Sequence, residues 1–454
     1  VALSCAPLEK IAAILNTLEK VRDAASDENV VDLQYQQTDS PDVLNGGQDA
    51  VRIVDSLLYR AILLGASDLH IEPLENKIQV RVRVDGVMRM LTDLPAEFAP
   101  RIASRIKVLA GADIAERRLH QDGRIFVRIE GGEVDIRVSS YVSMFGETLV
   151  MRILNRQRGL LPMDSLGFQP KVLGLLMEVI LRSSSGLVLV TGPTGSGKTT
   201  TLYSFVDYAK DETKKVITCE DPVEYVLNGI TQCSVNEKTG PTFADSLRAI
   251  VRQDPDIIVV GEIRNDVTAD LAVEAALTGH KVYSTFHTED SVGAVVRFLE
   301  MGIEPFLAAS TLSCVVAQRL VRRLCPNCQR PDEASAKDLR FLGMTREEFR
   351  DIPIITGAGC AKCQGTGFVG RTGVHELLWP NDEFRDAIMR RATTTELRAL
   401  ARQLPGFLTL QEDGLLKVLD GQSTLSEIVE GVPRDAHARR LDELREIASK
   451  RRQS

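Results

Sequence analysis

Apolar residues recur along the chain with two different periods, and the change between them divides it. Over residues 49–64, Val51, Val54, Leu57, Leu58 and Ile62 keep the three-to-four-residue spacing of a helix with one buried face. Residues 77–84 alternate instead, Ile78, Val80, Val82 and Val84 being interleaved with Gln79, Arg81 and Arg83, which predicts a half-buried strand. That strand runs into Asp85-Gly86, a pair suited to a tight turn. Similar strands are expected at 124–129 and 133–138, so residues 45–155 read as one α+β domain and 156–170 as a linker. Beyond the linker, short β-rich apolar runs at 187–191, 216–219, 257–260 and 282–285 alternate with helical segments. Such alternation predicts a parallel sheet with crossover helices, an α/β core over 171–318. Residues 319–375 are rich in Gly and carry paired cysteines, and 376–454 are mostly helical in pattern with a charged end. Residues 1–44, with a helical stretch over 8–21, read as the remnant of an upstream domain and a linker.

Composition narrows the class. The 454 residues hold 44% hydrophobic and 26% charged residues, the balance of a globular chain of about three domains. No apolar run approaches the ~20 residues of a membrane-spanning helix, and residues 1–20 lack the charged-then-apolar order of a secretory leader. The sequence opens on Val1 rather than Met, so a start further upstream is expected. With 55 Lys and Arg against 63 Asp and Glu the net charge is −8, which argues against a protein that coats nucleic acid.

The densest chemistry begins after the run at 187–191. Gly192, Pro193, Thr194, Gly195, Ser196, Gly197, Lys198 and Thr199 follow the order Gly, four residues, Gly, Lys, Thr, and Thr200 opens a helical segment. Glycines allow backbone N–H groups to turn inward around a polyphosphate, and the helix start adds a positive dipole end. Lys198 is expected to reach the β- and γ-phosphates, and the Thr199 hydroxyl to ligate Mg²⁺. Hydrolysis needs a second acidic site. Glu262 follows the apolar run 257–260 at the end of a strand where ligands bind in open α/β sheets, and is the candidate for orienting or deprotonating water. Position 261 is Gly where an Asp is usual, so Mg²⁺ is expected to depend on Thr199, the phosphates and water. A third acidic group, Glu220, Asp221 and Glu224, ends the run at 216–219 and could hold a metal-bound or attacking water. His280 and His287 flank the last run, with His287 at the end expected to sense a γ-phosphate.

Cys325 and Cys328, then Cys360 and Cys363, form two Cys-x-x-Cys pairs. Four thiolates can close a tetrahedral zinc site with no open position, which makes the expected metal structural. A zinc ribbon could also serve a nucleic-acid motor, the rival reading, but no aromatic run accompanies it and aromatic residues total 5%. The basic run Arg319, Arg322 and Arg323 beside it is expected to face a subunit or partner.

The order of these segments (192–203, 219–225, 252–265 and 277–288) closely resembles the secretion/pilus assembly ATPase family, the GspE-type motors of type II secretion and the PilB and PilT motors of type IV pili. In that family's terms they look like the Walker A, Asp, Walker B and His boxes, and the Gly261-Glu262 ending matches its own variant. The resemblance spans roughly 45–430 and implies a RecA-like ATPase domain, an α+β N-terminal domain, a zinc subdomain and a helical C-terminal region. It also implies that Arg137, Arg152 and Arg248 contact the nucleotide and that His280 belongs to its site. A guanidinium can stabilise charge on a transferring phosphoryl group. The paired cysteines resemble those of GspE and PilB rather than PilT. By resemblance the chain is a hexameric motor at the cytoplasmic face of the inner membrane, coupled to recruitment and platform proteins. ATP is expected to clamp the two domains joined by 156–170, and hydrolysis to release them.

Overall fold

The computed structural model describes residues 30–32, 50–129, 132–155, 160–236, 240–350, 352–444 and 446. The chain forms two compact units, 1–159 and 160–454. The helix expected over 8–21 and the last residues of the charged C-terminal end lie outside the described residues.

The first unit is built on a seven-stranded sheet: β1 (Val30–Asp32), β2 (Asp68–Pro73), β3 (Lys77–Val84), β4 (Val87–Pro95), β5 (Gln121–Ile129), β6 (Gly132–Ser143) and β7 (Gly146–Asn155), in the order β1-β5-β6-β7-β2-β3-β4. All pairs are antiparallel except β1 with β5. The alternation read over 77–84 is the strand β3, with Ile78, Val80, Val82 and Val84 buried. These pack with Ile53, Val54, Leu57, Leu58 and Ile62 of helix α1 (Ala50–Leu63) and with Ile102 and Ile106 of α2 (Ala99–Leu109). The turn after β3 places Asp85 and Gly86 at φ 51° and 86°, the left-handed pair that the Asp-Gly sequence favours.

Within this unit the register sets Arg124, Arg137, Arg152, Asp68 and Arg83 side by side on β5, β6, β7, β2 and β3. Directly opposed like charges destabilise a sheet, and the carboxylates of Asp68 and Asp135 offset them. Arg124 is bonded to both Asp135 oxygens, while Arg152 and Arg83 approach Asp68 at 3.4 and 3.8 Å. A second charged group is interior: Lys107, 2% exposed, pairs with Glu147 and donates to the Glu116 carbonyl at 2.6 Å.

The second unit is a doubly covered sheet. Its strands are β8 (Gly186–Thr191), β9 (Val216–Glu220), β10 (Thr231–Ser234), β11 (Ile257–Val260), β12 (Lys281–Phe286), β13 (Leu312–Leu324) and β16 (Phe368–Leu378), with β14 (Gln329–Asp332) and β15 (Ile354–Gly357) forming a separate pair. The main order is β10-β9-β11-β12-β8-β13-β16, parallel except for β16. Every residue of β8, β11 and β12 is buried, so the apolar residues of β8 and β11 run on without alternating, while β12 also takes Lys281, Ser284 and Thr285 inside. Leu187 and Leu189 of β8 point into one core, and Val188 and Val190 into the core on the opposite face.

Helix α3 (Lys198–Ala209) covers the second of these faces. The first is covered by α4 (Phe243–Ile250), α5 (Asp266–Leu277), α6 (Ser291–Glu300), α7 (Pro305–Thr311), and, later in the chain, α9 (Asp382–Met389) and α10 (Thr394–Ala401). Strand β13 runs through residue 318, where the sequence pattern ended the ATPase core, so the core sheet continues on either side of the cysteine-rich segment. That segment's α8 (Ala336–Leu342) shares a core with α11 (Leu410–Leu419) and α12 (Leu425–Gly431) through Leu339, Leu415, Leu416 and Ile428.

Removing one partner of a buried ion pair leaves the other charge uncompensated. Glu147→Ala is expected to destabilise the chain by about 3 kcal/mol through the stranded Lys107, read as a lowered midpoint in chemical denaturation; an unchanged midpoint would show the pair to be energetically idle.

Candidate nucleotide site and tetracysteine cluster

Strands β9, β11, β12 and β8 are parallel, so their C-terminal ends share one edge of the sheet. The loop after β8 turns there on Gly192, Gly195 and Gly197, at φ 151°, 80° and 86°. At Gly192 an added Cβ would lie 2.5 Å from the Gln318 carbonyl oxygen, so the backbone can pass only without a side chain. Gln318 of β13 braces the loop, donating from Nε2 to the Ser196 carbonyl at 2.7 Å and accepting from Thr201 Oγ1 at 2.6 Å.

Lys198 is the first residue of α3, and its Nζ donates to the carbonyls of Gly192 and Pro193 at 2.8 and 3.1 Å. Burial pushes its ammonium down to about 8; Glu262 opposes that shift and Arg319 adds to it. A phosphate is the kind of partner that restores the charge on such an amine. Thr199 is exposed at the helix start, available to a metal ion. A glycine-only turn, a lysine on its rim and a helix N-terminus together fit a nucleotide triphosphate with Mg²⁺.

Glu262 follows β11, with its side chain 14% exposed. The backbone around it is fixed from both sides: Ile263 N–H donates to the Thr285 carbonyl at 3.1 Å, and Thr285 Oγ1 donates to the Gly261 carbonyl at 2.7 Å. The departure from Asp at 261 has a packing cause. A Cβ there would stand 3.1 Å from Glu220 Cα, because the end of β9 passes alongside. One carboxylate oxygen of Glu262 meets Arg264 Nη2 at 2.5 Å and the other meets His287 Nε2 at 3.4 Å. His287 is held by its neighbour Thr288, whose N–H donates to Thr191 Oγ1 at 2.8 Å, tying the end of β12 to the end of β8.

Lys198, Glu262 and His287 therefore come together at the same sheet edge, as the sequence leads one to expect. Glu220 ends β9 on that edge but is 4% exposed and fully engaged: Tyr203 O–H donates to one oxygen, Thr218 Oγ1 and Gln232 Nε2 to the other at 2.6 and 3.1 Å. Burial, then the Glu220 charge, pushes the Tyr203 phenol far up, so it stays a donor. Arg248 lies on α4, half exposed, and its Nη1 is 3.6 Å from Asp245 Oδ1 of the same helix.

His280 is not brought to the loop. It precedes β12, about 20 Å from that strand's other end at ~3.3 Å per residue, and its Nδ1 lies 2.9 Å from the Ala275 carbonyl. The expected partner-facing role of the basic run is also largely withdrawn. Arg319 is buried, and Arg322 pairs with Glu427 at 2.5 Å and lies over the Phe368 ring, leaving Arg323 exposed.

Sequence reasoning overlooked Arg264 and Gln318. Arg264 carried a signal, since residues two apart on an extended segment share a side. Gln318 carried none, being brought in from over 100 residues away.

Among the described residues one group of three or more His, Cys, Asp or Glu side chains is gathered closely enough to hold a metal ion: Cys325, Cys328, Cys360 and Cys363. Their sulfurs are 3.8 Å apart between Cys325 and Cys360, 3.8 Å between Cys328 and Cys363, and 3.7 Å between Cys360 and Cys363. A zinc ion with Zn–S of about 2.3 Å in a tetrahedron requires sulfurs about 3.8 Å apart, so the group fits zinc. Backbone N–H groups of Cys360 and Gly367 donate to Cys363 Sγ at 3.1 and 3.2 Å. Burial pushes that thiol up, and these two N–H groups together with the Cys360 and Cys328 thiols bring it down to about 6.

Residues 44–430 match the family model described as Type II/IV secretion system protein. The type II secretion system protein E of Pseudomonas aeruginosa is 44% identical over 398 residues, 88% of this chain and 77% of that protein. The type IV pilus assembly ATPase PilB of Thermus thermophilus is also 44% identical, over 84% of this chain and 42% of its own length. Among solved structures, the pilus retraction motor PilT with bound ADP is similar at TM-score 0.56 and 25% identity, over 83% of this chain and 96% of that one. The ATPase DotB of Legionella pneumophila, at TM-score 0.61 and 21% identity over 88% and 98%, shares the fold. With a RecA-like sheet carrying its phosphate loop between β12 and β13, and a match over most of its length, the chain belongs to the type II/IV secretion system protein family.

Proposed function

We propose that this chain is an ATP-hydrolysing motor that drives type II secretion or type IV pilus assembly. The observation that carries this reading is the meeting, at one sheet edge, of a lysine-bearing phosphate loop and the largely buried carboxylate of Glu262. The loop of residues 192–199 with Thr200 holds the triphosphate, Lys198 neutralises its terminal oxygens and Glu262 orients or deprotonates the attacking water. Thr199 would hold Mg²⁺, which supplies charge neutralisation on the phosphate oxygens. Glu220, locked by Tyr203, Thr218 and Gln232, acts by fixing the end of β9 against Gly261. His287 senses the terminal phosphate through its contact with Glu262.

Arg137 and Arg152 of the first unit and Arg248 of α4 supply guanidinium groups to the nucleotide, which closes the units on ATP and opens them after hydrolysis. A hexameric ring converts successive closures into work. No helix among the described residues is long and apolar enough to cross a membrane, so force reaches the membrane through recruitment and platform proteins on the cytoplasmic face of the inner membrane. The four cysteines bind structural zinc.

Glu262→Gln is expected to bind ATP while hydrolysing it about 10²–10⁴-fold more slowly, followed as nucleotide affinity and phosphate release. Turnover at the wild-type rate would refute the assignment. Cys360→Ser is expected to lose zinc and to lower thermal stability, measured by metal analysis and unfolding; a full zinc complement in that variant would remove the metal from the reading.

A further inference from the structure

Arg264 stands between two carboxylates. It lies two residues beyond Glu262, on the extended segment that joins β11 to the Asn265-capped start of α5. Its Nη2 is 2.5 Å from Glu262 Oε1, and its Nη1 is 3.8 Å from Asp221 Oδ2. The guanidinium is therefore close on one acid and long on the other. At 56% side-chain exposure against 14% for Glu262, the arginine is the partner with room to move.

A carboxylate that aligns or deprotonates water needs an oxygen free to receive the proton. A guanidinium at 2.5 Å occupies one oxygen of Glu262 and fixes the direction of the carboxylate, holding it from turning toward a water. Asp221 is anchored for a complementary role. It follows Glu220, whose oxygens are held by Tyr203, Thr218 and Gln232, so the acid is presented from a fixed strand end. Closing the 3.8 Å gap to an ordinary charged hydrogen bond of about 2.8 Å takes a shift of only ~1 Å.

We propose that Arg264 is a positioning residue for the hydrolytic step: it restrains Glu262 while bonded to it and releases it by transferring to Asp221. The inference rests on the assignment of Glu262 as the group that acts on water. Asp221 thus serves the reaction without contacting the reacting atoms.

The test is steady-state phosphate release by the full chain. Asp221→Asn keeps the shape of the side chain but removes the attraction for the guanidinium. Turnover is expected to fall about tenfold, as follows from Glu262 being released in about a tenth of molecules, with KM for ATP within about twofold of wild type. Adding Arg264→Ala to Asp221→Asn is expected to recover about tenfold, since the restraint is then gone. A wild-type kcat in Asp221→Asn, or a double variant no faster than Asp221→Asn alone, would overturn the proposal.

A second comparison needs no Asp221 variant. Arg264→Lys, which keeps a charge on Glu262 but lacks the reach of the fork, is expected to be about threefold or more slower than Arg264→Ala. An arginine with a merely structural or phosphate-binding role gives the opposite order. Glu262→Gln separates the two levels. If it is fast, the assignment of Glu262 falls and this inference with it; if it is slow while Asp221→Asn is unaffected, only the role of Arg264 falls.

Discussion

The ladder between β8 and β12, in register from Gly186 opposite Lys281 to Thr191 opposite Phe286, determines where the chemistry of the second unit can lie. Because β11 and β9 continue the same parallel ladder, the phosphate loop, Glu262, His287 and Glu220 all leave the sheet on one edge. A slip of one residue would turn Leu187 and Leu189 from one core into the other, so burial on both faces holds the register. The hydrogen bonds from Thr288 to Thr191 and from Ile263 to Thr285 extend that control past the strand ends to the side chains that matter.

Charges at this edge are engaged with groups of the chain itself. Lys198 donates to two carbonyls of its own loop, and Glu262 is bonded to Arg264. A triphosphate must exchange these bonds for its own. Hydrogen-bond exchange is nearly balanced in free energy, so the gain on binding comes from placing negative charge against a buried ammonium and a helix start. Glu220 stands apart from this exchange, since its side-chain donors Tyr203, Thr218 and Gln232 all belong to the chain and hold the end of β9, which passes alongside Gly261.

Much of this was legible in the sequence because it is local. The alternation over β3 and the unbroken apolar runs of β8 and β11 follow directly from one-sided and two-sided burial. The loop glycines and Lys198 are consecutive, and the four cysteines announce themselves by spacing. What escaped depends on distant partners. Strands β2, β4, β7, β13 and β16 have mixed patterns because their exposure varies along their length or their neighbours are remote. The burial of Lys107 carries no local signal and Arg319 reads as part of a partner-facing basic run, since a sequence does not show that Glu147 or the fold of β13 will take them inside. By contrast, that His280 and His287 sit at opposite ends of one strand is already given by their order around the apolar run, and the structure keeps them there.

Strands β13 and β16 pair from Val315 opposite Leu378 to Leu324 opposite Phe368, and the cysteine-rich segment is everything between them. It is thus an oversized hairpin connection, about 40 residues where a few would serve, and joining its ends carries an entropic cost that grows with the logarithm of its length. The thiols of Cys325 and Cys363 lie near the two feet of that excursion, and Cys325 N–H donates to the Gly367 carbonyl between them at 2.9 Å. A metal ion held by the four sulfurs would clasp the neck of the loop, shortening the span that the sheet edge has to bridge and coupling the last rung of the ladder to the state of four thiols.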